Sequence, residues 1–274
     1  MSDPVPAVTE ASATGETAAI FADIRQVLGV DVVNLIWRHL ATMDGALPWA
    51  WRVLRPLYAD GSVIAQATAL RRELSLPSIP AVHEELYAAL GLGPDDRAGI
   101  RDVLSAYDHT NGMAVVALTA LRGRLDGRAP EGVQAAEPQP VTATARIRLP
   151  KLLALTEMQP ETAALVTTLN GFGTRRPIAV LASMYRHLAH WPPYLAFAWL
   201  VLAPMDSDGR LADAISRAER SVESHADQLL VRLIGQPIPP PPLAAWISTA
   251  IEPFVGDVII KMLVICAFLR RITR

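Results

Sequence analysis

Few side chains in this sequence have the type and spacing of a known catalytic motif. His83, Glu84 and Glu85 resemble the start of a zinc motif, but no second histidine follows one turn later, so an exposed helix face is the better interpretation. Cys266 lies in an apolar run and is predicted to be an inert core residue. Glycine-rich phosphate loops, serine-hydrolase elbows and paired cysteines are all missing from the sequence. We therefore predict neither a metal site nor a bound cofactor.

Polar side chains on apolar helical faces are the better candidates for a functional role. Asn111 shares a predicted helix face with Ala114, and a buried amide needs hydrogen-bond partners. Ser183 lies in similarly apolar surroundings. Asp257 and Lys261 are spaced i, i+4, which a salt bridge on a helix surface explains best.

The elements that position these residues come from an internal duplication. A shift of 148 residues superimposes residues 38–61 on residues 186–209 without a gap, and 12 of the 24 positions are identical. Apolar residues recur at helical spacing in both copies, and in the second copy the predicted buried face is formed by Leu195, Ala198, Trp199 and Leu202. We predict an all-α fold of two tandem helical repeats, which form an intramolecular pseudo-dimer with a pocket between them.

Composition and helix signals divide the chain into four parts. They are a disordered tail over residues 1–16, a first repeat over 17–125, an extended linker over 126–159 and a second repeat over 160–274. Helix starts are predicted at Pro80, Pro94 and Pro160, and helix ends at Pro56 and Pro204.

The duplication also separates scaffold from candidate site. Residues kept in both copies, such as the pairs Arg38–His39 and Arg186–His187, are best explained by the fold, because a pseudo-symmetric pair of modules seldom performs the same chemistry twice. The polar residues whose counterparts differ are Asn34, Asn111, Ser183, Asp257 and Lys261.

Composition restricts the partners. The chain has 274 residues, 51% of them hydrophobic, and 25 basic against 27 acidic residues give a net charge of -2, so we expect no nucleic-acid partner. The apolar runs at residues 195–205 and 258–269 are too short to cross a bilayer and predict core helices rather than membrane contact. With one cysteine and no signal-peptide pattern, a cytoplasmic protein is expected. The expected partner is a small molecule, and formation of a homo-oligomer stays open.

Four segments resemble the group I D,L-2-haloacid dehalogenases: residues 27–56, 106–121, 182–192 and 254–269. The resemblance covers both halves and implies an all-α pseudo-dimer with one active site between the repeats. In that family an aspartate activates water, which displaces halide from the α-carbon of a 2-haloalkanoate with inversion, without a cofactor or a covalent ester. Such a mechanism needs a carboxylate base within hydrogen-bond reach of the attacking water.

The sequence departs from that family at the position of the base. The family pattern reads Ala-Ser-Asp before an aromatic residue, whereas this chain has Met184 in place of the aspartate. Three aromatic positions of the pocket are also replaced by smaller apolar residues, namely Val32, Ala114 and Ile251, while Asn111, Ala182 and Ser183 match. With Leu35, the counterpart of Ser183 in the first copy, these residues form the predicted ligand-binding set. A thioether cannot accept a proton from water.

Two hypotheses follow. The favoured one is a divergent member that binds or transforms a small, fairly apolar ligand in the pocket between the repeats. The alternative is an active, cofactor-independent hydrolytic dehalogenase in which another acid, Asp257 or Asp31, replaces the missing base. Whether the chain is an enzyme at all stays open at this stage.

Overall fold

The computed structural model describes residues 5–78, 82–140, 147–175 and 180–273, and confirms the all-α prediction. The helices are α1 (Gly15–Leu28), α2 (Leu35–Leu40), α3 (Ala46–Ala59), α4 (Ser62–Glu73), α5 (Glu84–Ala89), α6 (Pro94–Leu125), α7 (Pro160–Gly171), α8 (Ser183–Leu188), α9 (Pro192–Ser207), α10 (Arg210–Leu233), α11 (Pro241–Pro253) and α12 (Ile259–Ile272). A 3₁₀ turn at Leu155–Glu157 precedes α7, and a π-helical turn at Phe254–Val258 joins α11 to α12. Within these ranges no helix combines the length and apolarity that a bilayer span requires.

The long helix α6 starts where the sequence predicts. Pro94 supplies the first helical position, and the Asp96 carboxylate accepts a hydrogen bond from the Gly93 backbone N–H at 3.0 Å. Pro160 likewise starts α7. The predicted start at Pro80 lies outside the described residues.

The predicted helix ends at Pro56 and Pro204 are wrong. Both prolines lie inside their helices, and α3 and α9 continue for one further turn. Proline leaves the carbonyl four residues earlier without its helical donor, but Arg52 and Leu200, which carry these carbonyls, are exposed. Water can therefore bond the freed carbonyl, and the helix continues.

The helix bounds follow the 148-residue shift. Helix α8 lies 148 residues after α2 at both ends, α9 ends 148 residues after α3, and α10 begins 148 residues after α4. The position of α6 is taken in the second half by α11, the π-helical turn and α12 together. The division into repeats remains our interpretation, and it accounts for this correspondence.

The core is one continuous cluster that includes buried residues of both halves. Helix α6 packs against α4 and also against α10 and α12. Burying apolar surface from both halves in one cluster couples their stabilities. The sequence predicts that Trp199 belongs to the buried face of α9. This prediction is wrong, because Trp199 is 37% exposed.

The described parts of the predicted tail and linker lie against the helices. The Val8 N–H donates to the Arg38 carbonyl, and α1 begins at Gly15, so residues 5–16 differ from the disordered tail that the sequence predicts. In the linker, the Ala136 N–H donates to the Gln228 carbonyl and the Gln139 N–H to the Asp60 carbonyl. The linker therefore contacts both halves.

Candidate functional site

The candidate site is a cavity of about 50 Å³ between the two halves. Its walls are residues 32–36 and residues 180–184, which are equivalent under the 148-residue shift. Tyr107 and Asn111 of α6 form a third wall. The π-helical turn and the first half of α12 close the fourth side. The space exceeds that of one water molecule and suits a small ligand.

Six of the eight predicted binding residues line this cavity: Val32, Leu35, Asn111, Ala182, Ser183 and Met184. Ala114 and Ile251 do not. Ala114 lies nearly one turn beyond Asn111 on α6, which carries it past the cavity into the core. Ile251 lies in α11 before the π-helical turn and is completely buried in the core.

Asn111 enters the cavity with an unpaired donor. Its side-chain amide nitrogen is buried and has no hydrogen-bond partner among the described residues. A buried amide without a partner is costly, and a ligand acceptor would satisfy it. The asymmetry between the halves supports this interpretation, because the equivalent position is Ile259, which also lines the cavity.

A buried tyrosine–histidine pair lies behind the cavity. The Tyr107 hydroxyl is 2.8 Å from His187 Nδ1. Burial lowers the pKa of His187 to about 4, so its ring is neutral near pH 7, and a bond from this ring to the Pro150 carbonyl leaves Nδ1 as the acceptor. Burial also raises the pKa of Tyr107, so its phenol stays protonated and donates to Nδ1. This pair is therefore a fixed, uncharged hydrogen bond.

Two of the residues that both copies retain bond backbone groups. His39 Nδ1 lies 2.7 Å from the Pro6 carbonyl oxygen, and the Arg186 guanidinium donates to the Leu153 carbonyl at 2.7 Å. Tyr107 is the polar lining residue that the sequence analysis missed. Its counterpart is Val255, so the comparison between copies would have found it.

The cavity contains no carboxylate among its described lining residues. Met184 lines the cavity and is buried. Neither Asp257 nor Asp31 lines the cavity. The Asp257 carboxylate instead accepts a hydrogen bond from the Arg175 backbone N–H at 3.0 Å.

The prediction of a surface salt bridge between Asp257 and Lys261 is wrong. Both side chains are buried, with 3.7 Å between Lys261 Nζ and Asp257 Oδ2. Burial lowers the pKa of Lys261, and the Asp257 charge opposes this effect. Lys261 also donates to the Asn170 carbonyl at 2.7 Å and to the Thr174 hydroxyl at 2.6 Å, which fixes α12 to α7.

Asn170 connects this buried pair to the cavity wall. Its amide nitrogen donates to the Val180 carbonyl at 2.9 Å, and its carbonyl oxygen accepts from the Ala182 N–H at 2.9 Å. These two bonds hold the segment that presents Ser183 and Met184 to the cavity. The sequence analysis missed Asn170, although its counterpart Ala22 marks it as unmatched.

An open apolar groove adjoins the cavity. It has a volume of about 720 Å³ and shares Val180 and Phe254 with the cavity lining. Trp246, 58% exposed, lies at its edge, and Phe254 stacks on His39 with 5.9 Å between ring centroids. Val180 and Phe254 therefore separate the cavity from the groove.

Known proteins are similar to this chain in sequence and in fold. No protein-family model matches the chain. A configuration-inverting 2-haloacid dehalogenase from Alcaligenes xylosoxydans xylosoxydans is 28% identical over 234 residues, which cover 79% of this chain and 76% of the relative.

Two solved structures have the same fold. A mutant D-2-haloacid dehalogenase superimposes with a TM-score of 0.80 at 16% identity, covering 100% of this chain and 97% of the other. A D-2-haloacid dehalogenase in complex with L-LA superimposes with a TM-score of 0.76 at 16% identity and the same coverage. At this identity the likeness establishes the fold alone.

Proposed function

We propose that this chain, a haloacid dehalogenase-like protein in sequence and fold, binds a small, largely apolar molecule in the cavity and does not hydrolyse carbon–halogen bonds. One observation carries the proposal: the described lining contains no Asp or Glu. The sequence resemblance assigns the base to the position of Met184, whose thioether cannot accept a proton from water. General-base catalysis contributes about 10² to 10⁴ in rate.

Two groups near the cavity in the described part of the chain, Asp257 and His187, are poorly suited to replace the base. Asp257 is bonded to the Arg175 backbone and paired with Lys261. The His187 nitrogen that could accept a proton already accepts the Tyr107 hydroxyl. Activating water there would require breaking a buried hydrogen bond and charging an imidazole whose pKa is about 4.

The lining also indicates the ligand's chemistry. Asn111 offers an unpaired N–H donor, so the ligand should carry a hydrogen-bond acceptor. The described lining has no Lys or Arg, and a buried carboxylate without a cation is costly. A short compound with a neutral carbonyl, such as an amide, therefore fits better than a 2-haloalkanoate anion.

Two assays on the same preparations test the proposal. Chloride release from racemic 2-chloropropionate should not exceed the buffer blank. Isothermal titration calorimetry with 2-chloropropionamide should detect binding, which Asn111→Leu weakens about tenfold because one hydrogen bond is lost. Met262→Leu is the matched control, since it changes an apolar lining residue and retains the Asn111 amide.

The proposal is overturned in favour of hydrolysis if the wild-type chain releases chloride and either Met184→Leu or Asn111→Leu abolishes that release. If the wild-type chain and Asn111→Leu bind the amide equally well, Asn111 does not contribute to ligand binding.

A further inference from the structure

A second cavity, here called the arginine groove, lies between α4, α6 and the end of α12. Its volume is about 560 Å³, and it shares no lining residue with the first cavity. Helix α6 separates the two, with Tyr107 and Asn111 facing one and Asp108 facing the other. Five arginines line the groove: Arg71, Arg72, Arg101, Arg270 and Arg271.

The groove has a large excess of positive charge. Asp108 is the one acid among the described lining residues, and it pairs with Arg270 at 3.2 Å and with Arg71 at 4.0 Å. The other three arginines, Arg72, Arg101 and Arg271, are exposed and make no ion pair or side-chain hydrogen bond in the described part of the chain. Among the described lining residues, one carboxylate thus faces five guanidinium groups, in a chain whose net charge is -2.

The arginines also repel one another. Burial lowers the pKa of Arg71, and the neighbouring charges of Arg270 and Arg72 lower it further, against the opposing effect of Asp108. A bound anion would relieve this repulsion, and the planar guanidinium groups can each donate two hydrogen bonds to a phosphate or carboxylate. Leu76 and Ala267 add apolar surface, which suits an organic body attached to the charged groups.

We propose that the arginine groove binds a small organic polyanion through phosphate or carboxylate groups. Helices α4, α6 and α12 hold the arginines on three sides of a space large enough for such a molecule. Arg71 is oriented by the Asp108 carbonyl at 3.1 Å and the Thr68 hydroxyl at 3.0 Å, so one guanidinium is fixed before any ligand arrives.

Calorimetric titration with inorganic pyrophosphate tests the site. The triple variant Arg72→Gln, Arg101→Gln, Arg271→Gln should raise the Kd at least about tenfold, because charge-assisted hydrogen bonds are lost. The matched control replaces Arg52, Arg217 and Arg220 by Gln, three exposed arginines outside the groove that make no ion pair or side-chain hydrogen bond in the described part of the chain. This control removes the same charge and should change the Kd less than about twofold.

Several results would overturn the proposal. They are the absence of pyrophosphate binding by the wild-type chain, an equal loss in both triple variants, and binding of a single-stranded oligonucleotide but not of pyrophosphate. Circular dichroism verifies the fold of each variant, and the three single variants replace the triple one if it fails to fold. None of these measurements depends on the ligand of the first cavity, because the 2-chloropropionamide titration reports on that site separately.

Discussion

His187 illustrates how the same residue type acquires different surroundings in the two halves. Its counterpart His39 is partly exposed and lies beside Phe254, whereas His187 is 1% exposed and bonded to Tyr107. The two histidines are equivalent under the 148-residue shift, but burial lowers the pKa of His187 and keeps its ring neutral. The imidazole behind the cavity is neutral at pH 7 because charging it would cost solvation.

Replacing His187 should change how stability depends on pH. An unfolded histidine takes up a proton near pH 6.5, but folded His187 does so only near pH 4, so the wild-type chain loses stability as pH falls through this interval. The loss approaches about 3 kcal/mol. His187→Asn removes this contribution, and urea unfolding at pH 7.5, 6, 5 and 4 should give a shallower profile. His83→Asn, at an exposed position, should keep the wild-type profile, and parallel profiles for all three proteins would contradict the prediction.

The buried Lys261, which pairs with Asp257 on its own helical run, fastens α12 to the end of α7. Lys261 reaches the end of α7 through Asn170 and Thr174, and Asn170 in turn holds the strand-like segment before α8. The end of α7 thus couples α12 to one wall of the cavity. A buried charge is tolerated here because hydrogen bonds and an opposite charge surround it.

Removing one charge of this pair should be strongly destabilising. Lys261→Met leaves Asp257 buried without its partner, which costs about 3 to 5 kcal/mol. The double variant Asp257→Asn, Lys261→Met should recover part of that loss. Lys151→Met is the control, because its ion pair with Glu157 is exposed and contributes about 0 to 1 kcal/mol. Urea unfolding measures all four proteins, and an equal, small effect of both lysine variants would contradict the buried pair.

Helices could be predicted from sequence far better than their ends or their surroundings. Apolar spacing and the repeat predict α3 and α9, but a proline rule misplaced the ends of these two helices because solvent can bond the freed carbonyls. Within the site, Ala182, Ser183 and Met184 were predicted from the sequence resemblance, and these consecutive residues line one wall of the cavity. Ile251 was predicted to line the cavity but does not, because the π-helical turn separates it from the cavity lining. Asn170 was missed because its hydrogen-bond partners are distant in sequence.

The core joins the two halves of the molecule, and little space remains between them where Gly99 faces Trp191. The Trp191 ring of the second half packs on α6, and its indole N–H donates to Asp96 at 3.0 Å. A Cβ atom added at Gly99 would lie 2.7 Å from Trp191 Cζ2. The absence of a side chain at Gly99 therefore permits this contact between the halves.

Gly99→Ala should weaken the whole molecule rather than one half. Overpacking against the anchored Trp191 ring costs about 1 to 3 kcal/mol, relative to the control Gly171→Ala, where an added Cβ meets no atom within 4 Å. Because one core includes both halves, urea unfolding should remain a single transition with an unchanged slope and a lower midpoint. Far-ultraviolet circular dichroism and tryptophan fluorescence should report the same midpoint. If the two signals separate, the halves unfold independently and the core does not couple them.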